Sequence, residues 1–174
     1  FSRKDCVVAV GGGVVGDLSG FVASAYMRGV DFYNIPTTLL SQIDSSIGGK
    51  TAIDMNGIKN VVGTFYPPFL VLIDPDTLNT LEDRQFNAGL VEVIKMASTS
   101  NAKLFEFIEN TIDVRKDINE IIHQALLIKK QIVEEDEKEK GLRKVLNFGH
   151  TIGHAIEASS DYIHGECVGI GMLY

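Results

Sequence analysis

The sequence predicts an α/β part with a mainly parallel sheet, followed by an all-helical part. Three features predict it: short runs typical of strands alternate with helical stretches up to residue 73, a glycine-rich turn directly follows the first run, and the rest of the chain has helical apolar periodicity. Strands that alternate with helices are typical of parallel α/β units. We place the domain boundary near residue 80, so the two parts are residues 1–80 and 81–174.

Three short runs in the first part are candidate strands. They are residues 6–10 (CVVAV), 31–35 (DFYNI) and 69–73 (FLVLI). Continuous apolar runs of this length are typical of parallel strands that are buried on both faces. The first and third runs are therefore predicted to be buried strands, and the second is predicted to be a strand that ends at Pro36.

Two helices are predicted between these strands. Residues 14–26 are small and apolar with almost no charge, which predicts a buried helix. Either Thr37 or Thr38 can cap a short helix through Ser45, because a hydroxyl oxygen accepts a hydrogen bond from a free N–H group of the first turn. The glycine pair at 48–49 breaks this helix.

After residue 76 the pattern is almost wholly helical, and no strand is predicted. Apolar residues recur at helical spacing in two stretches, which predicts amphipathic helices that bury these positions. The positions are Leu104, Phe105, Phe107, Ile108, Ile118, Ile121, Ile122, Ala125, Leu126 and Ile128.

Composition and charge argue against several classes of protein. Of the 174 residues, 45% are hydrophobic and 22% are charged, which is typical of a globular protein and not of a disordered one. The formal net charge of −7 argues against a nucleic-acid partner, and no apolar run reaches the roughly 20 residues of a membrane span. Two cysteines are too few for a disulfide scaffold, so we predict reduced thiols and a cytoplasmic location. Because there is no initiator Met, we expect the sequence to be an excerpt of a longer chain.

A glycine-rich motif occupies residues 11–17 (GGGVVGD), between the first strand and the first helix. Glycines allow the backbone to approach a pyrophosphate closely, and a helix N-terminus provides free N–H groups. The alternative is a tight strand-to-helix turn without a ligand. A Rossmann fold has an acidic residue at the end of the next strand, whereas Asp31 lies at its start here. The motif therefore indicates a nucleotide-binding loop in a different setting.

Two further motifs combine charged and small residues. Residues 44–51 (DSSIGGKT) end like a P-loop, but they lack its first glycine, so a Walker A motif is rejected. Two interpretations of this motif remain open: a site for a phosphate or a polyol, and a helix end with a surface lysine.

Glu92 and Lys95 share one face of an apolar helix. They form either a salt bridge on a solvated face or part of a site.

Three of the four histidines, His150, His154 and His164, fall within 15 residues. His150 and His154 are four residues apart and share a helix face, which makes them a candidate ligand pair for zinc. Catalytic zinc sites often combine three protein ligands with one open position. The cluster therefore indicates a metal or acid–base site. His123 lies in an ordinary amphipathic stretch and is given no role.

Together and in this order, the motifs resemble the 3-dehydroquinate synthase family. The matching segments cover essentially the whole chain and are residues 11–17, 26–29 (YMRG), 36–40 (PTTLL), 44–51, 59–60, 92–95 (EVIK), 147–154 (NFGHTIGH) and 164–166 (HGE). The resemblance implies a homodimeric lyase that converts 3-deoxy-D-arabino-heptulosonate 7-phosphate to 3-dehydroquinate and phosphate in the shikimate pathway. The implied steps are NAD-mediated oxidation, phosphate elimination, reduction and aldol closure, with zinc, or cobalt in its place, as the metal.

The resemblance also implies a role for individual residues. The metal ligands would be Glu92, His150 and His164, which replaces the pair formed by His150 and His154. The residues implied to bind NAD are Gly12, Gly13, Asp17, Thr37, Thr38, Asp44, Lys59 and Thr80. Those implied to bind substrate are Arg28, Asp44, Lys50, Lys59, Asn60, Lys95, Lys129, Arg143, Asn147 and His154, with Arg28 reaching the site of the partner subunit. Catalytic roles are implied for Asp44, Lys50, Lys95, Arg143, Asn147 and His154.

Three alternatives remain open. Sister cyclases that make inosose or valiolone precursors share the reaction type but differ in the segment equivalent to residues 44–50. Metal-dependent glycerol or alcohol dehydrogenases have a similar fold, but their metal site begins with Asp and a His four residues later, where this chain has Glu92 and Met96. A structural zinc domain would require a fourth protein ligand, for which Cys167 is a candidate.

Overall fold

A computed structural model describes residues 1–137 and 139–174, which form two compact units, Phe1–Thr80 and Leu81–Tyr174. The first unit contains β1 (Cys6–Gly11), α1 (Gly13–Ala25), β2 (Asp31–Pro36), β3 (Lys50–Met55), β4 (Ile58–Phe65) and β5 (Leu70–Val71). It also contains a π-helical turn, Ser41–Ser45, and two 3₁₀ segments, Tyr26–Arg28 and Pro75–Thr80. The second unit contains α2 (Asp83–Ser100), α3 (Ala102–Asn110), α4 (Ile118–Glu135), a 3₁₀ segment (Leu142–Asn147), α5 (His150–Glu157) and α6 (His164–Met172).

A three-stranded parallel sheet forms the framework of the first unit, in the order β1-β2-β5. The prediction that β1 is buried on both faces is wrong for this unit. Ala9 is buried on the face against which α1 packs, whereas Val8 and Val10 alternate to the other face and are more than half exposed. The third predicted strand is also shorter and less buried than expected. It pairs with β2 at only two positions, so Phe69 and Leu72 lie outside the strand and are exposed.

Helix α1 is buried through its small residues. Its buried positions are Gly16, Gly20 and Ala23. A Cβ atom at Gly20 would lie 3.0 Å from the Phe32 ring, so glycine allows the helix to pack closely on β2. Four larger apolar residues are exposed, whereas Phe21 is half-buried; the exposed ones are Val14, Val15, Leu18 and Val22. The prediction of a buried helix is therefore wrong for this unit, because only the stripe that faces the sheet is covered.

A short helical turn follows β2, as the sequence predicts. Thr38 Oγ1 accepts a hydrogen bond from the Ser41 N–H at 3.3 Å, so the structure selects Thr38 as the capping residue. Gly48 and Gly49 follow the turn with φ angles of 97° and 68°. Such angles are readily adopted only by glycine, which explains why the helix ends here.

An antiparallel hairpin, β3–β4, is not predicted from the sequence, and neither are the two 3₁₀ segments of the first unit. Its turn is formed by Asn56 and Gly57, which have φ angles of 54° and 77°. Met55 and Ile58, on either side, are paired. An Asn-Gly dipeptide with positive φ at both residues is typical of two-residue hairpin turns. A local signal for the hairpin was therefore present in the sequence.

The second unit contains only helices and turns among its described residues, as predicted. Helix α2 packs against α3, α4 and α6, and α5 packs against α6. Of the predicted core positions, those buried are Leu104, Ile118, Ile121, Ile122, Ala125 and Ile128. Phe105 and Phe107 are 40% and 39% exposed, which corrects the prediction, because the nine-residue α3 buries only Leu104. Within the described ranges, no helix is both long enough and apolar enough to cross a membrane.

Candidate functional site

The glycine motif forms the junction between β1 and α1. Gly12 is extended and directly precedes Gly13, the first helical residue. A Cβ atom at Gly12 would lie 3.0 Å from Thr38 Cγ2, and one at Gly13 would lie 3.2 Å from Ser45 Oγ. The missing side chains therefore let three segments of the first unit converge at the N-terminus of α1. N–H groups in the first turn of a helix lack intrahelical acceptors, so this junction can bind a phosphate.

Asp17 follows on the same helix and is half-buried. Burial, and to a smaller extent the charge of Asp54, raise the pKa of its carboxyl to about 6. Asp17 lines a small cavity of this unit together with Asn34, Ser46 and Lys50. Asn34 Oδ1 and Ser46 Oγ are buried and accept no hydrogen bond from the described part of the chain. The cavity therefore offers polar atoms to a ligand or a water molecule.

The remaining predicted residues of the first unit lie in several places. Thr37 and Asp44 are half-buried, after β2 and within the π-helical turn. Four others are exposed and do not line the Asp17 cavity; they are Arg28, Lys59, Asn60 and Thr80. The structure thus brings Asp17 and Lys50 to one cavity and Thr38 to the glycine junction, and it leaves these four on the surface of the unit.

Sequence reasoning gave no individual role to three buried polar residues near these positions. Asn34 and Ser46 line the cavity described above. Gln42 is fully buried, and its Nε2 atom donates to Asp74 O at 2.9 Å and to Thr77 Oγ1 at 3.0 Å. A polar residue at an inward position of a strand, as at Asn34, is the signal that could have identified the first of them.

In the second unit, Glu92, His150 and His164 each have a ligand-type atom within 4.8 Å of the other two. They come from α2, from the first residue of α5 and from the first residue of α6. Glu92 is fully buried, and its Oε1 atom has no hydrogen-bond partner among the described residues. A buried, unpartnered carboxylate oxygen is costly, and a cation between it and two imidazoles would satisfy it. The donor set of one carboxylate and two histidines therefore fits zinc with an open position.

The orientation of His150 is fixed by the main chain. Its Nδ1 lies 3.2 Å from Phe148 O. A carbonyl oxygen only accepts hydrogen bonds, so Nδ1 is the donor and Nε2 carries the lone pair. Gly149, between them, has a φ of 77°, and a Cβ atom there would lie 2.7 Å from Met172 Cγ. Glycine at this position allows both the turn before α5 and the close approach of α6.

Lys95 is buried beside the candidate metal position. Its Nζ forms an ion pair with Glu92 Oε2, and both side chains are only 1% exposed. The interpretation as a salt bridge on a solvated face is therefore wrong, because the charged face of α2 points into the unit. Burial and the charge of Lys95 lower the pKa of His150, which favours the neutral imidazole that a metal requires.

A second group of possible ligands shares His164: His154, Glu157 and His164 also lie within 4.8 Å of one another. His154 is exposed, and its ring centroid lies 5.2 Å from that of His150 and 6.0 Å from that of His164. Cys167, the candidate fourth ligand of a structural site, belongs to neither group found among the described residues. It is buried and its Sγ donates to Tyr162 O at 3.7 Å.

Three further predicted residues lie in α4 (Lys129) and in the 3₁₀ segment after it (Arg143 and Asn147). Lys129 and Arg143 are buried cations, and Asn147 is exposed. Arg143 donates from Nη1 to Glu137 O at 2.7 Å, and Asn147 Nδ2 donates to Glu139 Oε1 at 2.8 Å. Buried Lys and Arg side chains are suited to binding an anionic ligand.

Two family models match this chain. The model described as 3-dehydroquinate synthase N-terminal matches residues 1–88, and the model described as 3-dehydroquinate synthase C-terminal matches residues 89–174. The 3-dehydroquinate synthase of Dictyoglomus turgidum is 53% identical over 179 residues, which cover 98% of this chain and 50% of that protein. The chain therefore spans about half the length of the curated relatives that it matches.

Two solved structures have the same fold. A 2-epi-5-epi-valiolone synthase from Streptomyces hygroscopicus subsp. jinggangensis 5008, with NAD⁺ and Zn²⁺ bound, has a TM-score of 0.88 and 34% identity over 95% of this chain and 48% of its own. A 2-deoxy-scyllo-inosose synthase, complexed with carbaglucose-6-phosphate, NAD⁺ and Co²⁺, has a TM-score of 0.88 and 32% identity over 100% of this chain and 49% of its own. Both family models and the shared fold confirm the resemblance seen in the motifs, and the chain belongs to the 3-dehydroquinate synthase family.

Proposed function

We propose that this chain is part of a 3-dehydroquinate synthase, a lyase that converts 3-deoxy-D-arabino-heptulosonate 7-phosphate to 3-dehydroquinate and phosphate. The observation that carries the proposal is the group formed by Glu92, His150 and His164, with a buried carboxylate oxygen that lacks a partner within the described residues. Membership of the family and the 53% identity to a named 3-dehydroquinate synthase support the same activity.

The proposal includes two cofactors. NAD⁺ would bind at the junction of β1 and α1, through Gly12, Gly13 and Asp17, with Thr37, Thr38, Asp44, Lys59 and Thr80 along it. Zn²⁺ or Co²⁺ would bind to Glu92, His150 and His164. The solved relatives, which hold NAD⁺ with Zn²⁺ or Co²⁺, support this choice. When bound, NAD⁺ provides reversible hydride transfer and the metal provides Lewis acidity at the oxidised hydroxyl.

The protein residues bind, orient and exchange protons. Lys129 and Arg143 are buried cations that would fix the anionic ends of the substrate, together with Lys50, Lys59, Asn60, Asn147 and Arg28. Lys95, through its ion pair with Glu92, would hold the metal ligand in position. His154 is exposed one helical turn after His150, so it would contact the substrate and move a proton there. The active enzyme would be a cytoplasmic homodimer in which Arg28 reaches the partner subunit's site.

Phosphate release from 3-deoxy-D-arabino-heptulosonate 7-phosphate tests this function. The full-length protein is assayed with catalytic NAD⁺ and added Zn²⁺, before and after treatment with a chelator. We expect one phosphate to be released per substrate molecule, without net formation of NADH. Chelation should stop the release of phosphate, and added Zn²⁺ should restore it. The matched variants are Glu92→Gln, expected to abolish release, and Glu109→Gln on the exposed side of α3, expected to leave it unchanged. Net NADH formation with glycerol or another simple alcohol would instead indicate a dehydrogenase.

The second candidate function is that of a sister cyclase, because the two solved relatives are a 2-epi-5-epi-valiolone synthase and a 2-deoxy-scyllo-inosose synthase. Residues 44–50 (DSSIGGK) resemble the dehydroquinate branch. The same protein should therefore release phosphate from the heptulosonate phosphate and not from glucose 6-phosphate. Cyclisation of glucose 6-phosphate in preference to the heptulosonate phosphate would replace the proposed activity by that of a sister enzyme.

A further inference from the structure

The imidazole of His164, one of the three candidate metal ligands, needs a group that holds it in its orientation. His164 is the first residue of α6, and its side chain is 33% exposed, whereas Glu92 is buried in α2. An imidazole at a helix start, with one edge towards solvent, can rotate unless another group restrains it. His150 has such a restraint in Phe148 O. A corresponding acceptor is therefore expected for His164.

We propose that Glu157 is a positioning residue that holds His164 in the tautomer and the orientation required for metal binding. This inference rests on the proposed function, since it takes Glu92, His150 and His164 as the metal ligands. Glu157 would touch neither the metal nor the substrate and would act through the imidazole of His164.

The hydrogen bond that carries the proposal joins His164 Nδ1 to Glu157 Oε2, at 3.2 Å. An ionised carboxylate can only accept, so Nδ1 carries the proton and Nε2 carries the lone pair. Nε2 is also the atom that faces Glu92, at 3.8 Å from its Oε1 atom, which has no hydrogen-bond partner among the described residues. A metal between Nε2 and Oε1 would bind the one ring nitrogen that is left without a proton.

The position of Glu157 explains how α5 can both provide the candidate ligand His150 and orient the candidate ligand His164. His150 begins α5 and Glu157 ends it, seven residues later. Residues seven apart lie on the same helix face, so the face that presents one ligand also carries the carboxylate that orients the other. The Glu157 side chain is 14% exposed, which strengthens its interaction with the imidazole relative to a solvent-exposed pair.

Glu157 also belongs to the second group of possible ligands, with His154 and His164. Two observations favour a positioning role over a ligand role. Glu157 already accepts from His164, whereas Glu92 Oε1 is a buried acceptor without a partner in the described residues. Moreover, binding a metal between Glu157 and His164 would require Nδ1 to lose its proton. The Nε2 atom would then have to carry the proton towards Glu92.

The first test measures the tautomer of His164 in the metal-free, full-length protein. Long-range proton–nitrogen NMR spectra distinguish the Nδ1–H form from the Nε2–H form. We expect the Nδ1–H form in the wild type and a shift towards the Nε2–H form in Glu157→Leu. In Glu157→Gln, whose amide oxygen can still accept, the Nδ1–H form should largely remain. A wild-type His164 in the Nε2–H form would overturn the proposal.

The second test measures Zn²⁺ affinity by competition with a chromophoric chelator. Loss of an outer-shell partner of a metal-bound histidine typically costs about 10–100-fold in metal affinity. We expect the loss of Zn²⁺ affinity in Glu157→Leu to fall in this range and the loss in Glu157→Gln to be smaller. Both variants should bind one metal ion per chain. Glu109→Leu, on α3, is the control and should bind as the wild type does. Affinity of Glu157→Leu within threefold of the wild type, in protein with an unchanged circular dichroism spectrum, would refute the role.

Two further variants separate this inference from the proposed function. Glu92→Gln should abolish tight Zn²⁺ binding. His154→Asn should bind Zn²⁺ with an affinity within about threefold of the wild type, because His154 is not proposed as a ligand. Retained affinity in Glu92→Gln would mean that the proposed metal site itself is wrong. Loss of Zn²⁺ binding in both single variants, His154→Asn and Glu157→Leu, would indicate that Glu157 is itself a ligand. This outcome would overturn the positioning role.

Discussion

At the scale of single residues, the two units contain charged side chains in unusual settings. Asp17 has a pKa of about 6 because it is buried and faces Asp54. The folded-state pKa lies above the ordinary value of 3.8, so ionisation of Asp17 opposes folding. Its effect is absent below about pH 3.8, grows as the pH rises, and is complete above about pH 6.

Asp54→Asn should therefore lower the pKa of Asp17 without returning it to 3.8, since burial is the larger cause. Carboxyl carbon NMR titration of Asp17 measures this directly. Asp5→Asn, an exposed position before β1, is the matched control and should leave the titration unchanged. An Asp17 pKa near 4 in the wild type would show that the carboxyl is solvated and not buried.

The pair formed by Lys95 and Glu92 gives a second prediction at this scale. Lys95→Met removes the cation but leaves Glu92 buried, which typically costs about 3–5 kcal/mol of unfolding free energy. It should also raise the pKa of His150, because the charge of Lys95 lowers it. Urea unfolding and histidine NMR titration of the metal-free protein measure the two effects. Lys103→Met, at an exposed position on α3, is the control. A Lys95→Met variant with the unfolding free energy and the His150 titration of the wild type would contradict this prediction.

At the scale of elements, glycines determine how closely the helices around the histidines approach. A Cβ atom at Gly165 would lie 2.6 Å from Ala88 Cα, and one at Gly171 would lie 2.9 Å from Gly153 N. These atoms belong to main chain that cannot move as a side chain does. The glycines of α6 therefore bring His164 close to Glu92 on α2 and to His150 on α5.

Gly165→Ala should separate α6 from α2 and weaken Zn²⁺ binding by at least tenfold, with a smaller effect on helix content. Gly169→Ala is the matched substitution in the same helix, where the nearest side-chain atom would lie 3.4 Å from the new Cβ. It should bind zinc nearly as the wild type does. Equal affinities in both variants would show that the close contact at Gly165 does not position the ligands.

The hairpin turn allows a test of local backbone conformation. Apart from its chain neighbours, no atom of the described residues lies within 4 Å of a Cβ at Gly57, so Gly57→Ala adds no steric contact there. The φ of 77° should still cost about 1–2 kcal/mol, because an L-residue is disfavoured in the left-handed region. The unfolding free energy from denaturant titration measures this cost. Gly57→Asn, at the same position, is the comparison and should cost less, because asparagine adopts the left-handed region more readily than alanine.

At the scale of the whole molecule, the candidate metal ligands all lie in the second unit. A metal that binds only the folded form stabilises it by about 4 kcal/mol when its concentration is 1,000 times the dissociation constant. Chelation should therefore decrease hydrogen-exchange protection in α2, α5 and α6, and have little effect on β1 and β2. An equal loss of protection in both units would mean that metal binding and the folding of the first unit are coupled.

Several features could be predicted from the sequence because they depend on local patterns. The apolar run before the glycine motif identified β1, and the periodicity from residue 118 identified the buried face of α4. The motifs were specific enough to identify the family, and the resemblance named Glu92, His150 and His164. The hairpin was not predicted although Asn56 and Gly57 carry its signal, because its two strands show no clear alternation of buried and exposed residues.

The sequence by itself determined the types of most elements, the glycine junction and the clustering of histidines along the chain. The tertiary structure decided which faces are covered, so that Val8 and Val14 are exposed while Glu92 and Lys95 are buried. It also decided that Glu157 contacts His164 and that Asn34 lines a cavity. The physical reason is that periodicity describes neighbours within one helix or strand. Burial and hydrogen bonding between side chains depend on how separate elements pack, which no local pattern specifies.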